Sequence, residues 1–591
     1  MPERNLTNRF QNPVLPGFHP DPSICRAGED YFLVNSSFAY FPGVPLFHSR
    51  DLVHWRQIGH CLTRPSQLPL AGAAVSGGIF APTIRFHNGT FTMVTTNVTH
   101  GGNFFVKTDD PFGEWSEPIW LAQNGIDPSL LFHDDHVYLT STGMPDETDS
   151  AVNVQGIIQS EIDIASGCRL TKSRLIWTGT GGAYPEGPHI YSIDGQFYLM
   201  IAEGGTEYGH TEVIARGPTP WGPWESCPHN PILTHRSYHS PIQALGHADM
   251  LQVQDGSWWM VCLGIRPNHP HAHHLGRETF LAPVEWDAHG WPHVGYESRI
   301  ELLMEFPRLT PVTWELPAAR DDFDGQALGF KWNFLGNPEA GDWSLTHRPG
   351  ALCLQGNATR LDDGTGCAFI GCRQEHFNCE VRTSLDFSPE VDGEEAGLTA
   401  WMDPRHHYEI FVSREAGSRM AAVRRRIGSL FATVARQKIP HGALTLLVRA
   451  NRLFYAFGFI SQDGKETVLA TGETRYLSSE VAGGFTGVYF ALYASGNGRP
   501  SAAPAFFNWF DYHSLDNPAY LGIETALKDL LKDERAREVL QRYIPQLLTN
   551  PVADWQANFS LVDLSAMSPE FITHEMLLAL DAALCAAQIL A

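Results

Sequence analysis

The sequence predicts an all-β chain: a five-bladed β-propeller over residues 1–310, a β-sandwich over 321–516, and a small α-helical extension over 518–591. Three observations carry this. One short-strand grammar recurs five times in the first three hundred residues. After it, alternating strands continue without that repeat, and beyond Pro518 the apolar spacing changes from two to about 3.6 residues. The 54 Gly and 40 Pro fit a chain with many turns.

The repeat opens at Asp21 (DPSICRAGEDYFLV), Ala81 (APTIRFHNGTFTMV), Asp127 (DPSLLFHDDHVYLT), Glu186 (EGPHIYSIDGQFYLM) and His247 (HADMLQVQDGSWWMV). Each copy holds a strand, a turn such as Asn88-Gly89 or Asp194-Gly195, and an aromatic strand, which is hairpin chemistry. The starts lie roughly 45–60 residues apart, the length of a four-stranded propeller blade. Trp55, Trp115, Trp221 and Trp224 each follow a turn near the end of a copy, where indoles pack between blades. The second region alternates through WSLTHRPGALCLQG, HHYEIFVSR and FTGVYFALYASG with Gly, Asp and Asn turns, as an antiparallel sandwich does. LGIETALKDLLKDERAREVLQRYIPQLL and FITHEMLLALDAALCAAQIL have helical spacing, with Ser568 as an N-cap for the second. This tail reads equally as an oligomerisation surface, making a homo-oligomer, or as a plain packing element.

The 41 Lys and Arg against 65 Asp and Glu give a net charge of −24, which argues against a nucleic-acid partner. No apolar run reaches the ~18 residues of a membrane span, so no membrane partner is expected. MPERNLTNRF lacks the apolar stretch of a secretory signal, and the ten cysteines form no CxxC pair. A cytoplasmic protein with buried free thiols is the expectation.

In a propeller, equivalent positions converge on one axis. The residues opening the repeats would then bring Asp21, Asp127, Glu186 and His247 to one end of a funnel, with Ala81 between them. Acidic side chains are rarely buried without a reason. Carboxylates around an aromatic-rich concavity suit glycoside hydrolysis, in which one acid protonates the leaving oxygen and another carboxylate works on the opposite face. The run HPHAHHLG, with His269, His271, His273 and His274, lies in a Pro-rich segment without regular ligand spacing and reads as a solvated loop.

The segments NPVLPGFHPDPSI, GGIFAP, GIDPSLLF, AYPEGPHIY, AEGGT, GHADM and LGRET, in this order, resemble glycoside hydrolase family 43, specifically its two-domain β-xylosidases and α-L-arabinofuranosidases. The resemblance implies an exo-acting, inverting enzyme with Asp21 as general base, Glu186 as general acid and Asp127 as the third acid that orients Glu186 and modulates its pKa. It implies that Arg277 reaches the sugar subsite, that Phe38 and Phe80 form apolar walls, that Thr206 lines the sugar site, and that Phe507 (or Phe506) of the sandwich reaches the pocket mouth. His247 matches an axial histidine that contacts a water or a Ca2+ ion, with no cofactor required for the chemistry. Xylo-oligosaccharides and arabinose-substituted oligosaccharides are the implied substrates. The chain departs from the family at Phe80-Ala81-Pro82-Thr83, where many members carry Trp-Ala-Pro-acid. Alternatives are arabinofuranosidase or arabinanase as the main activity, and a sugar-binding protein without catalysis. The nucleophile motifs of invertases and the arginine triad of sialidases are missing from the sequence.

Overall fold

The computed structural model describes residues 9–146, 155–515 and 522–589, except 239, 269, 270, 316, 524, 550–556 and 558. Five antiparallel units fill the first half, each ordered from the axis outward; four have four strands and the fourth unit adds Leu233–Thr234 as a fifth. Their innermost strands are Ser23–Ala27 (blade I), Thr83–His87 (II), Ile126–His133 (III), Glu186–Ile193 (IV) and Gln243–Gln252 (V). Each innermost strand touches the next, and that of blade V touches that of blade I, so the ring is closed. Arg9–Gln11 pairs with Leu303–Glu305 and ties the segment before blade I to the one after blade V.

The hairpins follow from the turn residues. Ala27 pairs with Asp30, His87 with Thr90, His133 with His136 and Ile193 with Gln196, leaving two-residue loops. Asn88-Gly89 (φ 50° and 83°) and Asp194-Gly195 (φ 49° and 78°) are left-handed at both positions, the type I′ geometry that matches strand twist. Of the tryptophans at blade ends, Trp115 is buried and Trp221 meets Tyr138 edge-on.

The second half is two eight-stranded sheets packed face to face. One of them ends in a strand that is not its own: Tyr40–Phe41, from blade I, pairs with Asn333–Leu335. Tyr40 stacks on Tyr489 with ring centroids 4.0 Å apart. Ile79 and Leu68 of the propeller share one apolar cluster with Phe334, Leu492 and Phe510 of the sandwich. The two halves therefore bury a common core, which loops alone would not provide.

The tail forms helices at Leu527–Leu530, Glu534–Tyr543, Gln546–Thr549, Leu561–Met567 and His574–Ile589. Its own core holds Leu527, Leu540, Leu561 and Leu580, and Leu453 of the sandwich packs against it. Asp533 and Ser560 are N-caps, their side chains accepting from Ala536 and Asp563 N–H. Ser568 instead ends the helix Leu561–Met567. The cap of the last helix falls on Thr573, whose hydroxyl accepts from Met576 N–H at 3.2 Å.

Candidate active site

The axial residues owe their placement to a left-handed residue at the strand entry. Asp21, Asp127 and His247 have φ of 51°, 53° and 50°. Asp and His are among the few non-glycine types that enter this region readily. Register shifts follow in blades III, IV and V, so the extra residue bulges and turns its side chain toward the axis. In blade IV the left-handed residue is Gly187 (φ 57°), not Glu186. The backbone thus aligns DPSI, DPSL, GPHI and HADM, and Glu186 stands one residue before the position that the repeat assigned to it. A β-carbon on Gly187 would come within 3.1 Å of the His247 ring, so space as well as φ calls for glycine. Ala81 is buried and contributes only a methyl group.

Asp21 is 5% exposed. Its Oδ1 accepts from Arg277 Nη1 at 2.7 Å and its Oδ2 from the Ser36 hydroxyl at 2.5 Å. Burial works against ionisation but is outweighed by the Arg277 charge, then His247 and the Ser36 hydrogen bond, so the carboxyl is held below its ordinary range. Asp127 is 6% exposed, and its Oδ2 faces Gly187 N–H at 3.3 Å, which pins the residue next to Glu186. Burial first, then the charges of Glu186 and Asp21, push its carboxyl well above the ordinary range. Glu186 keeps a fifth of its side chain exposed, with Oε1 3.6 Å from His210 Nε2. His210 Nδ1 donates to the Ala244 carbonyl at 3.2 Å, which fixes the ring with Nε2 toward Glu186. Behind them Glu212 is wholly buried, accepts from Ala248 N–H at 3.2 Å, and is driven toward its neutral form mainly by burial.

One layer deeper, Asp249 plugs the axis. It accepts from Arg85 at 2.7 Å, Ser23 at 2.6 Å and Tyr191 at 2.7 Å, while Arg85 Nη2 also meets His189 Nδ1 at 2.8 Å.

Arg277 also donates to Thr206 Oγ1 at 3.2 Å and to the Phe485 carbonyl at 3.3 Å, its guanidinium 5.8 Å from the Phe38 ring and 5.7 Å from the Phe485 ring. Phe38 is buried and lies 5.4 Å from the half-buried Phe80. Phe507, by contrast, is fully buried between the sheets, opposite Leu352 and Leu385, and cannot reach the mouth. Phe506 stacks under Arg348, 3.9 Å away. The sandwich aromatic at the site is Phe485, 40% exposed and 6.2 Å from both Phe38 and Phe80. The signal for it is glycine: in GGFTG a β-carbon on Gly484 would meet Ser76 Oγ at 2.5 Å, and one on Gly487 would meet the Leu275 carbonyl at 2.4 Å. Such a loop has to press against another part of the chain.

His247 is 6% exposed, its imidazole driven toward neutrality by burial against the opposing charges of Asp21 and Glu186. Calcium takes six to eight oxygens. Around His247 stand Gly187, His210, the Glu186 carboxyl, the Arg277 guanidinium and an Asp21 whose oxygens already accept from Arg277 and Ser36. The protein oxygens free to bind there, chiefly those of Glu186, fall short of that number. Among the described residues, the compact group of cation ligands is His229, Asp287 and His293, at the rim of blades IV and V. Within the histidine-rich run, expected as a solvated loop, His273 and His274 dock on the sandwich while His271 is exposed. His273 pairs with Glu480 at 2.7 Å, His274 is buried against Phe377 and Tyr455, and His271 meets Tyr208 edge-on. His269 lies outside the described residues.

Residues 10–292 match glycosyl hydrolases family 43, and residues 320–513 match the β-xylosidase C-terminal concanavalin A-like domain. The chain is 44% identical to a non-reducing end α-L-arabinofuranosidase of Bacteroides ovatus over 86% of its own length and 95% of the relative's. It is 38% identical to a xylosidase/arabinosidase of Butyrivibrio fibrisolvens, over 84% of this chain and 98% of that one. Among solved structures, a xylan β-1,4-xylosidase from Bacillus halodurans superposes with a TM-score of 0.80 at 33% identity, covering 85% of this chain and all of the other.

Proposed function

From the premise that the chain belongs to glycosyl hydrolase family 43, we propose that this glycosidase removes single pentose units, α-L-arabinofuranosyl or β-D-xylosyl, from non-reducing ends with inversion. The observation that carries the reading is the division of labour among the axial carboxyls. Asp21 is held ionised by Arg277 and Ser36, whereas Glu186 stands at the partly open edge of the cluster. Asp21 takes a proton from a water whose oxygen attacks the anomeric carbon. The bond to the leaving sugar breaks on the opposite face as Glu186 delivers its proton to the departing oxygen, and both carboxyls return to their starting states by exchange with solvent. Asp127 holds the Gly187 amide and so orients Glu186. Phe485, with Phe38 and Phe80, walls one side of the site, which supports release of one terminal residue rather than cleavage within a chain. The pairing of pentoses is supported by relatives named for both activities.

The test is hydrolysis of p-nitrophenyl α-L-arabinofuranoside and β-D-xyloside, with the anomer of the first-formed sugar followed by NMR. Asp21→Asn and Glu186→Gln are each expected to lose about 10²–10⁴-fold in kcat; Glu186→Gln keeps the parent melting temperature, whereas Asp21→Asn stays folded with a lower one, because the buried Arg277 loses its partner. Retention of configuration, or a folded Glu186→Gln variant at full rate on a natural disaccharide, refutes the assignment.

A further inference from the structure

A second polar cavity, of about 340 Å³, lies on the sandwich, on strands Glu395–Asp403, His406–Glu415, Ser418–Ile427 and Leu430–Lys438. The strand pattern produces it. Tyr408, Ile410 and Val412 point into the sandwich core, so His407, Glu409 and Phe411 share the opposite face. That face is continuous with the one that packs on the propeller, where Trp401 and Tyr493 join Phe18 and Tyr40 in one apolar cluster. The cavity lies farther out, five strand positions from Tyr40–Phe41, roughly 24 Å at the usual strand spacing.

Its floor is charged and internally balanced. Arg424 donates to Glu395 at 2.6 and 3.0 Å and to Glu409 at 2.5 Å. A cation would meet a guanidinium already in place, and an anion would meet two carboxylates. Three lining groups stay without a hydrogen bond, Asp362 Oδ1, Ser413 Oγ and His407 Nε2, and of these His407 is 1% exposed. Nδ1 lies 3.0 Å from the Asp403 carbonyl and so carries the hydrogen of the neutral ring, which leaves Nε2 as an acceptor. The nearest carboxylate oxygens, on Asp362 and Glu409, are acceptors too, each 3.8 Å away. A group that donates to one acceptor while receiving from a neighbouring guanidinium completes such a set, and hydroxyls do both. Phe431 stands at the rim, 48% exposed and 5.3 Å from the Arg424 guanidinium, and offers a flat apolar face. Vicinal hydroxyls with an apolar ring face are the chemistry of a neutral sugar. The volume is at the lower end of the ~300–1,000 Å³ usual for small-ligand sites.

We propose that this cavity is a second carbohydrate site, holding one or two neutral sugar rings of a chain apart from the propeller axis. It stands whatever glycone the axial site prefers.

The test uses the full-length chain carrying Glu186→Gln, incubated with xylohexaose, arabinohexaose or cellohexaose and followed by hydrogen–deuterium exchange. Slower exchange in residues 406–415 and 430–438 with at least one of the three is expected. Thr433→Trp, which fills the cavity from its edge strand, should abolish that slowing. His407→Ala, which removes the acceptor without filling space, should weaken binding about tenfold, one hydrogen bond's worth, and decides the matter where the Trp variant fails to fold. Slowing here without slowing at residues 273–278 would leave the second site standing while removing the catalytic reading. No slowing with any of the three sugars, or slowing indifferent to both substitutions, overturns the proposal.

Discussion

Asp127 is 6% exposed, and burial, then the charges of Glu186 and Asp21, keep its carboxyl protonated far above the ordinary value of 3.8. The unfolded chain has no such neighbours and releases that proton near 3.8. Between those two points the folded state binds one proton more than the unfolded state, so stability falls as pH rises through the window. Each pH unit in it costs about 1.4 kcal/mol. Asn has the shape of the neutral acid, can accept the Gly187 amide, and carries no proton to defer. Relative to the parent, Asp127→Asn should therefore gain stability from pH 4 to pH 7, with a ceiling of about 4 kcal/mol if the window spans all three units. Whatever the amide costs sterically is common to both pH values and cancels in the comparison. At about 2 °C per kcal/mol for a large domain, the difference in melting temperature between variant and parent should grow by up to about 8 °C from pH 4 to pH 7. Calorimetry of both proteins across that range is the assay. A difference in melting temperature that is flat with pH, or that shrinks, refutes the reasoning.

Phe485→Ala should lower kcat/KM about tenfold, mostly through KM, since an aromatic contact contributes about 0.5–1.5 kcal/mol beyond its area; unchanged kinetics would separate the sandwich from the site. Asp249→Asn leaves the half of Arg85 that it neutralised as a buried charge, and should destabilise by about 3–5 kcal/mol, read as a lower midpoint in urea. The same carboxyl is held low against its burial by Arg85 and His189, so its contribution is present above 3.8 and should be lost as pH falls.

The propeller was legible because its repeat carries its own turn chemistry: Asn88-Gly89 and Asp194-Gly195 fix two-residue hairpins wherever they occur. The axial acids were legible for the same reason, since residues opening equivalent strands converge. Glu186 slipped by one because letters align charge with charge, whereas the backbone aligns left-handed residues, and in blade IV that residue is Gly187. Contacts between the two halves were illegible. Phe507 sits in a strand whose alternation says only that one face is buried, not that this ring points inward. The histidine run looks polar and Pro-rich, yet its partners Glu480 and Tyr455 lie some two hundred residues away.

Those distant contacts explain why the sandwich is part of the site. Val488 N–H donates to the His274 carbonyl at 2.9 Å, and a β-carbon on Gly276 would come within 3.0 Å of Gly487 Cα. The strap that carries Arg277 is therefore clamped along a sandwich strand three residues before its guanidinium is spent on Asp21. Phe485, from the same stretch, faces that guanidinium from the other side, and its amide donates to Ser76 Oγ at 2.9 Å. Were the sandwich removed, Arg277 would lose the clamp that aims it, and Asp21 would keep burial, which favours its neutral form, while losing the fixed charge that outweighs burial. The ionisation of a residue at the start of blade I thus depends on a loop 464 residues later. Tyr40–Phe41, completing the sandwich sheet from within blade I, joins the same two halves a second time through Asn333–Leu335.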